Sequence, residues 1–571
     1  MRRFILLLSF AFILQDSFAQ VNSGLANYLD SLFKPYNNIS SPGIAITILQ
    51  NGRPVTKKNY GMAVIEHKVP FTHQSSVRFE YSQTREFMAV VLAMMESDGL
   101  LSFNDKVRKY FPQLPVWSEP VTIRDLLNHS SGFVDEWGTL LLTQAAMNNR
   151  LDKEQFLDLL YNQSVPQFEP GNGYMYCNSD YGLLRLIMEV ASNKSLEFYM
   201  KEKLFRPLQM NATQMNDDLG KIIPGLVNRY EGKNTYRRFD KIKISPASNY
   251  RIVSTADDLE KWTIACNDKN SFVAKAFERL YKYARLIPVL KEKHYTFGIE
   301  LNERNGHLVI QHNGVNKVIY IRSIPSLKLD IITISNNENL LDKAEHILDY
   351  FLPYTKEAVT DFNEVYSKPA IELNADKLNS YSGRYWVTNE GTYSSHLKHI
   401  RYYDIKTEDG RLRLYHTARD FFPLVPIADN LFKDLGYPNY FRFIQSHPDS
   451  VMKLEAVSPT FIETMERNKF DSLGVSTKYL KQFTGLYYSK HLDYYFKIEL
   501  NNSNELILKR PTVSEKVLTP YGENQFIFLM ESGMGEGWNV LTSFTFNHKG
   551  DVNGFSLQHI RMIHHRFEKV K

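Results

Sequence analysis

The chain has 571 residues, enough for several folded units at roughly 150 residues each. Its 43% apolar, 23% charged and 13% aromatic residues suit packed cores and exclude disordered and collagen-like classes. Lys+Arg 68 against Asp+Glu 63 leaves a net charge of only +5 and no long basic run, so nucleic acid is not an expected partner. Two cysteines, Cys177 and Cys266, exclude a disulfide framework or a cysteine-built metal site.

In chain order, Met1-Arg2-Arg3, the apolar run Phe4–Leu14 and the small residues Ser17 and Ala19 form the three parts of a secretory signal peptide. They predict cleavage near Ala19 and a secreted or periplasmic product. The run is too short for the roughly 30 Å of a membrane core, and no later segment is long and apolar enough, so no transmembrane anchor is expected. Gly43–Gln50 reads as a strand, and Asn51-Gly52 before a second run as a hairpin turn, because both central residues of that turn need φ > 0. From Thr84 onward Phe87, Val90, Val91, Met94 and Met95 fall on one face of a helix that Gly99 is placed to end. Ser82-Gln83-Thr84-Arg85 stands at its start, with Ser82 and Arg85 about one turn apart on the same face. Thr255, with Asp258 three residues on, reads as the cap of another helix.

Residues 20–353 alternate helical patterns with strands, 354–377 read as a linker, and beyond Leu378 strands, turns and aromatics dominate. That second part repeats itself. Leu378-x-x-Tyr381-Ser-Gly383-Arg-Tyr385 recurs as Leu480-x-x-Phe483-Thr-Gly485-Leu-Tyr487, and Leu412-x-Leu414 as Leu506-x-Leu508. Leu424-x-Pro426-x-x-x-Asn430-x-Phe432 recurs as Leu518-x-Pro520-x-x-x-Asn524-x-Phe526, and Phe441-x-Phe443 answers Phe544-x-Phe546. The expectation is two small all-β units, 378–470 and 479–571, with lipocalin-like barrels as the nearest picture.

Three motifs in fixed order carry a resemblance: Ser82-Gln-Thr-Arg85, Tyr176-Cys177-Asn178 and His312-Asn313-Gly314. Around them stand Tyr110-Phe-Pro112, Thr122-Ile-Arg124-Asp-Leu-Leu127-Asn-His129-Ser-Ser-Gly132, Pro170-Gly171 and Ser254-Thr255-Ala256-Asp257. Over about residues 30 to 350 the chain resembles the serine β-lactamase and penicillin-binding protein superfamily, in the branch of class C β-lactamases, D,D-peptidases and related esterases. The resemblance implies an α/β fold, an antiparallel sheet flanked by helices with a helical region inserted between its first and last strands. It also implies acyl-enzyme chemistry on an amide or ester of a peptide, a D-amino acid or another small molecule, with no cofactor and no metal. Ser82 becomes the nucleophile, Tyr176 the proton acceptor and Asn178 the group that orients the site. His312 and Gly314 line the substrate, and the backbone N–H groups of Ser82 and Val315 stabilise the oxyanion.

Arg85 departs from the pattern, because relatives carry a lysine there that exchanges its proton. Guanidinium stays charged at any working pH, so it can favour a phenolate on Tyr176 but cannot relay the serine proton. Two readings follow. One is a serine hydrolase of low turnover with Tyr176 acting alone. The alternative is a pseudoenzyme that binds a cell-wall peptide or small carboxylate, with Arg85 as a carboxylate clamp. Elsewhere the residues read blandly: Cys177 as a buried, unreactive thiol, His129 as a loop-holding hydrogen bonder, and His559, His564 and His565 as strand residues without metal spacing.

Overall fold

The computed structural model describes residues 24–570 except 144–150, 217, 219, 234, 239–250, 285–286, 291–292, 312–317, 354–363, 388–401, 416–420, 435–438, 448, 458–461, 468–475, 511–512, 532–536 and 560–561. The signal-peptide reading at 1–19 therefore lies outside the described residues, as do His312, Gly314 and Val315.

The strand Ile44–Gln50 is buried on both faces and explains the layering of the first unit. Ala45 and Leu49 face one core with Phe87, Leu259, Trp262 and Ile332, while Ile44, Ile46 and Ile48 face another with Leu25, Leu29, Leu340 and Ile347. A strand that points apolar side chains both ways must be central, and it pairs with Arg53–Tyr60 on one side and Leu329–Ser335 on the other. The sheet has eight strands, continuing outward through Ile319–Ile324, His307–Gln311, Ile299–Arg304, Lys293–Thr296 and Ile287–Leu290, with every pairing antiparallel. The turn after the central strand has Asn51 at φ 54° and Gly52 at φ 72°, the conformation that Asn-Gly supplies in a tight hairpin.

Between the second strand of the sheet and its later strands lies the helical region. The helix Arg85–Ser97 is more buried than its apolar stripe requires: Met88, Ala89, Leu92 and Ala93 are covered as fully as Phe87, Val90 and Val91. Gly99, at φ 72°, ends it. Thr255 caps Ala256–Asn267 by accepting from the Asp258 N–H. The Asp258 carboxylate turns instead to Thr213 and the Ala212 N–H, so the reciprocal half of a capping box is replaced by a tie to the preceding loop.

The C-terminal part is all β. Strands from Gly383–Val387 to Ile462–Arg467 close an eight-stranded antiparallel barrel, and those from Gly485–Ser489 to Met562–Lys569 form a nine-stranded antiparallel sheet. The two edge strands of that sheet, Val513–Val517 and Thr519–Gly522, are separated only by Leu518, so the sheet curls almost onto itself. The repeat is visible as register. Gly383 faces Ile405, and Ile405 faces Leu414; Gly485 faces Ile498, and Ile498 faces Leu508. Pro426 opposite Phe432 recurs as Pro520 opposite Phe526. The match of Phe441-x-Phe443 with Phe544-x-Phe546 shifts by two residues. The N–H of Phe443 donates to the Asn430 carbonyl as the N–H of Phe544 donates to that of Asn524, so Phe443 and Phe544 are the equivalent pair. A shift of two keeps every side chain on its face, which is why the aromatic spacing alone reads the same in either alignment.

The second β unit is docked on the helical region. Trp137 and Leu142, on the helix Glu136–Thr143, sit in its core with Phe528 and Met530. Arg510 Nη1 donates to the Leu142 carbonyl at 3.2 Å, and the Ile563 N–H donates to Gln167 Oε1 at 2.6 Å. Ile563 packs on Met175, the residue before Tyr176.

Candidate active site

Three elements bring the site together. Ser82 lies on the single 3-10 turn Tyr81–Thr84 that feeds the helix Arg85–Ser97. Tyr176 and Asn178 stand where a loop enters the helix Asn178–Ser192, whose first N–H donates to Asp135 Oδ1 at 2.6 Å. The third is the turn after strand Lys293–Thr296, where Gly298 adopts φ +84° and lies so close to the helix start that a Cβ would fall 2.8 Å from Arg85 C and Glu86 N. Only glycine meets both demands, so this turn presses Tyr295 and the start of the nucleophile helix together.

Ser82 Oγ is hydrogen-bonded to the Tyr176 hydroxyl, and the two residues are only 7% and 8% exposed. Arg85 is 1% exposed and stacks between two rings, with its central carbon 4.3 Å from the Tyr176 centroid and 4.5 Å from that of Tyr181. Its Nη2 donates to Asn178 Oδ1 at 2.6 Å and its Nη1 to His129 Nε2 at 2.9 Å. Burial works against the guanidinium charge, but the surrounding phenols of Tyr176, Tyr295 and Tyr181 outweigh it and hold its pKa above the usual value. Burial pushes the Tyr295 and Tyr174 hydroxyls well up, so these two serve as neutral walls. The guanidinium is therefore spent inside the protein. A clamp for a ligand carboxylate, which sequence allowed for Arg85, is not what this geometry offers, because its fork is turned to Asn178 and His129.

His129 and Asp180 belong to the same constellation. His129 follows the short helix Ile123–Leu127, started by a capping box between Thr122 and Asp125, and sits at φ 54°, a conformation uncommon for a side-chain-bearing residue. Its Nδ1 lies 3.0 Å from Asp180 Oδ2, and its ring packs against Tyr174, Tyr176, Tyr181 and Tyr295. Cys177 is buried with its sulfur against the carbonyls of Phe133 and Val134, and burial raises its thiol pKa well above the usual range, which suits an unreactive thiol. Among the described residues no group of three or more His, Cys, Asp or Glu side chains is arranged to hold a metal ion.

A profile of the Beta-lactamase family matches residues 29–348, more than half of the chain. The chain belongs to that family. Penicillin-binding protein 4* of Bacillus subtilis (strain 168) is 26% identical over 352 residues, which cover 56% of this chain and 75% of that protein. A D-aminopeptidase of Brucella anthropi is 24% identical over 284 residues, 48% of this chain and 52% of the relative, so the match spans about half of that enzyme. Among solved structures, the octameric penicillin-binding protein homologue from Pyrococcus abyssi superposes with a TM-score of 0.51 at 20% identity, over 78% of this chain and 99% of the other.

Within the β-lactamase fold, then, Ser82, Arg85, Tyr176 and Asn178 converge as one cluster. Sequence alone gives His129 a loop-holding role and gives Asp180 none. His129 stood inside a family-like stretch, which was a usable signal. Asp180 had none, because its link to His129 spans 51 positions and exists only in the fold.

Proposed function

We propose that the protein is an exported serine hydrolase that forms an acyl-enzyme on Ser82 from an amide or ester of a peptide or D-amino acid. The observation that carries this reading is the Ser82 Oγ–Tyr176 hydroxyl hydrogen bond, with the Arg85 charge stacked on the phenol face. As Ser82 Oγ attacks the substrate carbonyl carbon, its proton passes to the oxygen of Tyr176, which enters the step as the phenolate that the Arg85 charge favours. Collapse of the tetrahedral adduct breaks the C–N or C–O bond, and Tyr176 gives the proton to the leaving group. Water then repeats the sequence on the acyl ester and regenerates the Ser82 hydroxyl. Arg85 contributes a fixed positive field and no proton, so Tyr176 works without a partner and turnover is low. The amide and D-amino-acid substrate class draws on the D-aminopeptidase relative, and export on the leader read at Met1–Ala19. The test is labelling by a fluorophosphonate: the wild type becomes covalently modified and Ser82→Ala does not. Absence of labelling in the wild type, or equal labelling of both, rejects the proposal. Cell fractionation that leaves the chain in the cytoplasm rejects export.

A further inference from the structure

The hydrogen bonds around His129 fix where its proton sits. Arginine has only donors, so the 2.9 Å contact from Arg85 Nη1 requires a lone pair on His129 Nε2. A neutral imidazole carries one N–H, which must then be on Nδ1 and point to Asp180 Oδ2, 3.0 Å away. The Cys177 N–H is directed at Nδ1 as well and would need a lone pair there; at 3.3 Å it is the longer contact and yields to the pair of Arg85 and Asp180 contacts. The other oxygen of Asp180 accepts from Ser131 Oγ, whose lone pair already receives the Phe133 N–H at 3.0 Å. The Nδ1–H and the Ser131 O–H each point to an Asp180 oxygen, an arrangement that favours its ionised form. Burial pushes the Asp180 pKa well up, and the nearby Asp135 and Asp125 charges push the same way; the Ser131 hydroxyl and the Arg85 charge pull it down without cancelling the rise.

We propose that His129 and Asp180 are positioning residues for Ser82 acylation: a neutral Nδ1–H imidazole bridges the Arg85 guanidinium to the Asp180 carboxylate. The bridge holds the guanidinium plane against the Tyr176 ring and offsets part of its charge. The kinetic part of this inference rests on Tyr176 as the proton acceptor; the tautomer part does not. The groups facing the bridge are Arg85 from the nucleophile helix, Tyr176 and Tyr174 from the preceding loop, Tyr181, Asp180 and Cys177 at the start of the following helix, Asp135 and Asp125 beyond it, and Tyr295 with Glu300 from the sheet.

Two measurements on the full chain test it. In histidine-selective ¹⁵N spectra, with His129→Gln used for assignment, the His129 ring shows the Nδ1–H tautomer and no imidazolium from pH 5 to pH 9. An Nε2–H tautomer, or an imidazolium, overturns the bridge whether or not the protein is an enzyme. In the second, the rate of fluorophosphonate labelling of Ser82 is followed against pH. Asp180→Asn keeps an oxygen for the His129 N–H but removes the anion, so the acid limb of the profile moves to lower pH by about one unit. An unmoved limb, whether the rate is unchanged or uniformly lowered, overturns the electrostatic role. If Ser82→Ala labels as the wild type does, the functional reading fails, and the tautomer result alone decides the bridge.

Discussion

Arginine at position 85 changes which proton movements the site permits. Sequence alone made this visible, since a group that never loses its proton stands where an exchangeable ammonium is expected. What sequence could not show is that the guanidinium is built in, stacked between Tyr176 and Tyr181 and bonded to both Asn178 and His129. A lysine at this position would regain proton exchange but lacks the planar fork that serves two acceptors at once. Arg85→Lys is therefore expected to lower the melting temperature, because one of Asn178 Oδ1 and His129 Nε2 loses its donor, and to speed Ser82 labelling through the regained exchange; unchanged or slower labelling would show that the missing proton is not what limits the site. Next to it, Glu86 accepts from Trp262 Nε1 at 3.0 Å and is pushed up to about 7 by burial. Its folded pKa is raised, so its contribution to stability is complete below about pH 4.5 and is lost as pH rises through 7. Glu86→Gln should flatten the fall in stability between those pH values, a difference on the order of 2–3 kcal/mol, read by denaturant unfolding at pH 5 and pH 8. Parallel curves for the two proteins would contradict the burial of this carboxyl.

At the scale of elements, the features legible in sequence were those set by local rules. The Asn51-Gly52 hairpin, the helix ended by Gly99 and the Thr255 cap each follow from a few neighbouring residues. The C-terminal repeat was legible because spacing survives in register, yet the Phe443–Phe544 equivalence needed the hydrogen bonds. The turn that carries Gly298 had no sequence signal, because its constraint is a contact with a helix start more than two hundred residues earlier. Gly298→Ala places a methyl group against the Arg85 and Glu86 backbone in a left-handed conformation, so a loss of about 2 kcal/mol or more is expected, together with slower labelling of Ser82 as the helix start shifts. A variant with wild-type melting temperature and labelling would show that the turn does not set the site.

At the scale of the molecule, the helical region is held from two sides. One face meets the sheet through Phe87 and Trp262, and the other lends Trp137 and Leu142 to the second β unit. The contact of Ile563 with Met175, and of its N–H with Gln167, places that unit against the loop leading to Tyr176. Ile563→Asp buries a carboxylate there without a partner among its apolar neighbours, and is expected to cost a few kcal/mol and to slow Ser82 labelling; loss of stability with unchanged labelling would separate the β unit from the chemistry. Docking of this kind is not legible from sequence, since the partners are scattered apolar residues that read as ordinary core.

The central claim is that Tyr176, beside a permanently charged Arg85, removes the proton of Ser82. It is tested most directly by the rate of fluorophosphonate labelling at Ser82 in the wild type and in Tyr176→Phe, a change that removes only the hydroxyl bonded to Ser82 Oγ. The account predicts labelling slower by roughly 10²-fold or more in the variant, the usual contribution of a positioned base. Equal rates would contradict it.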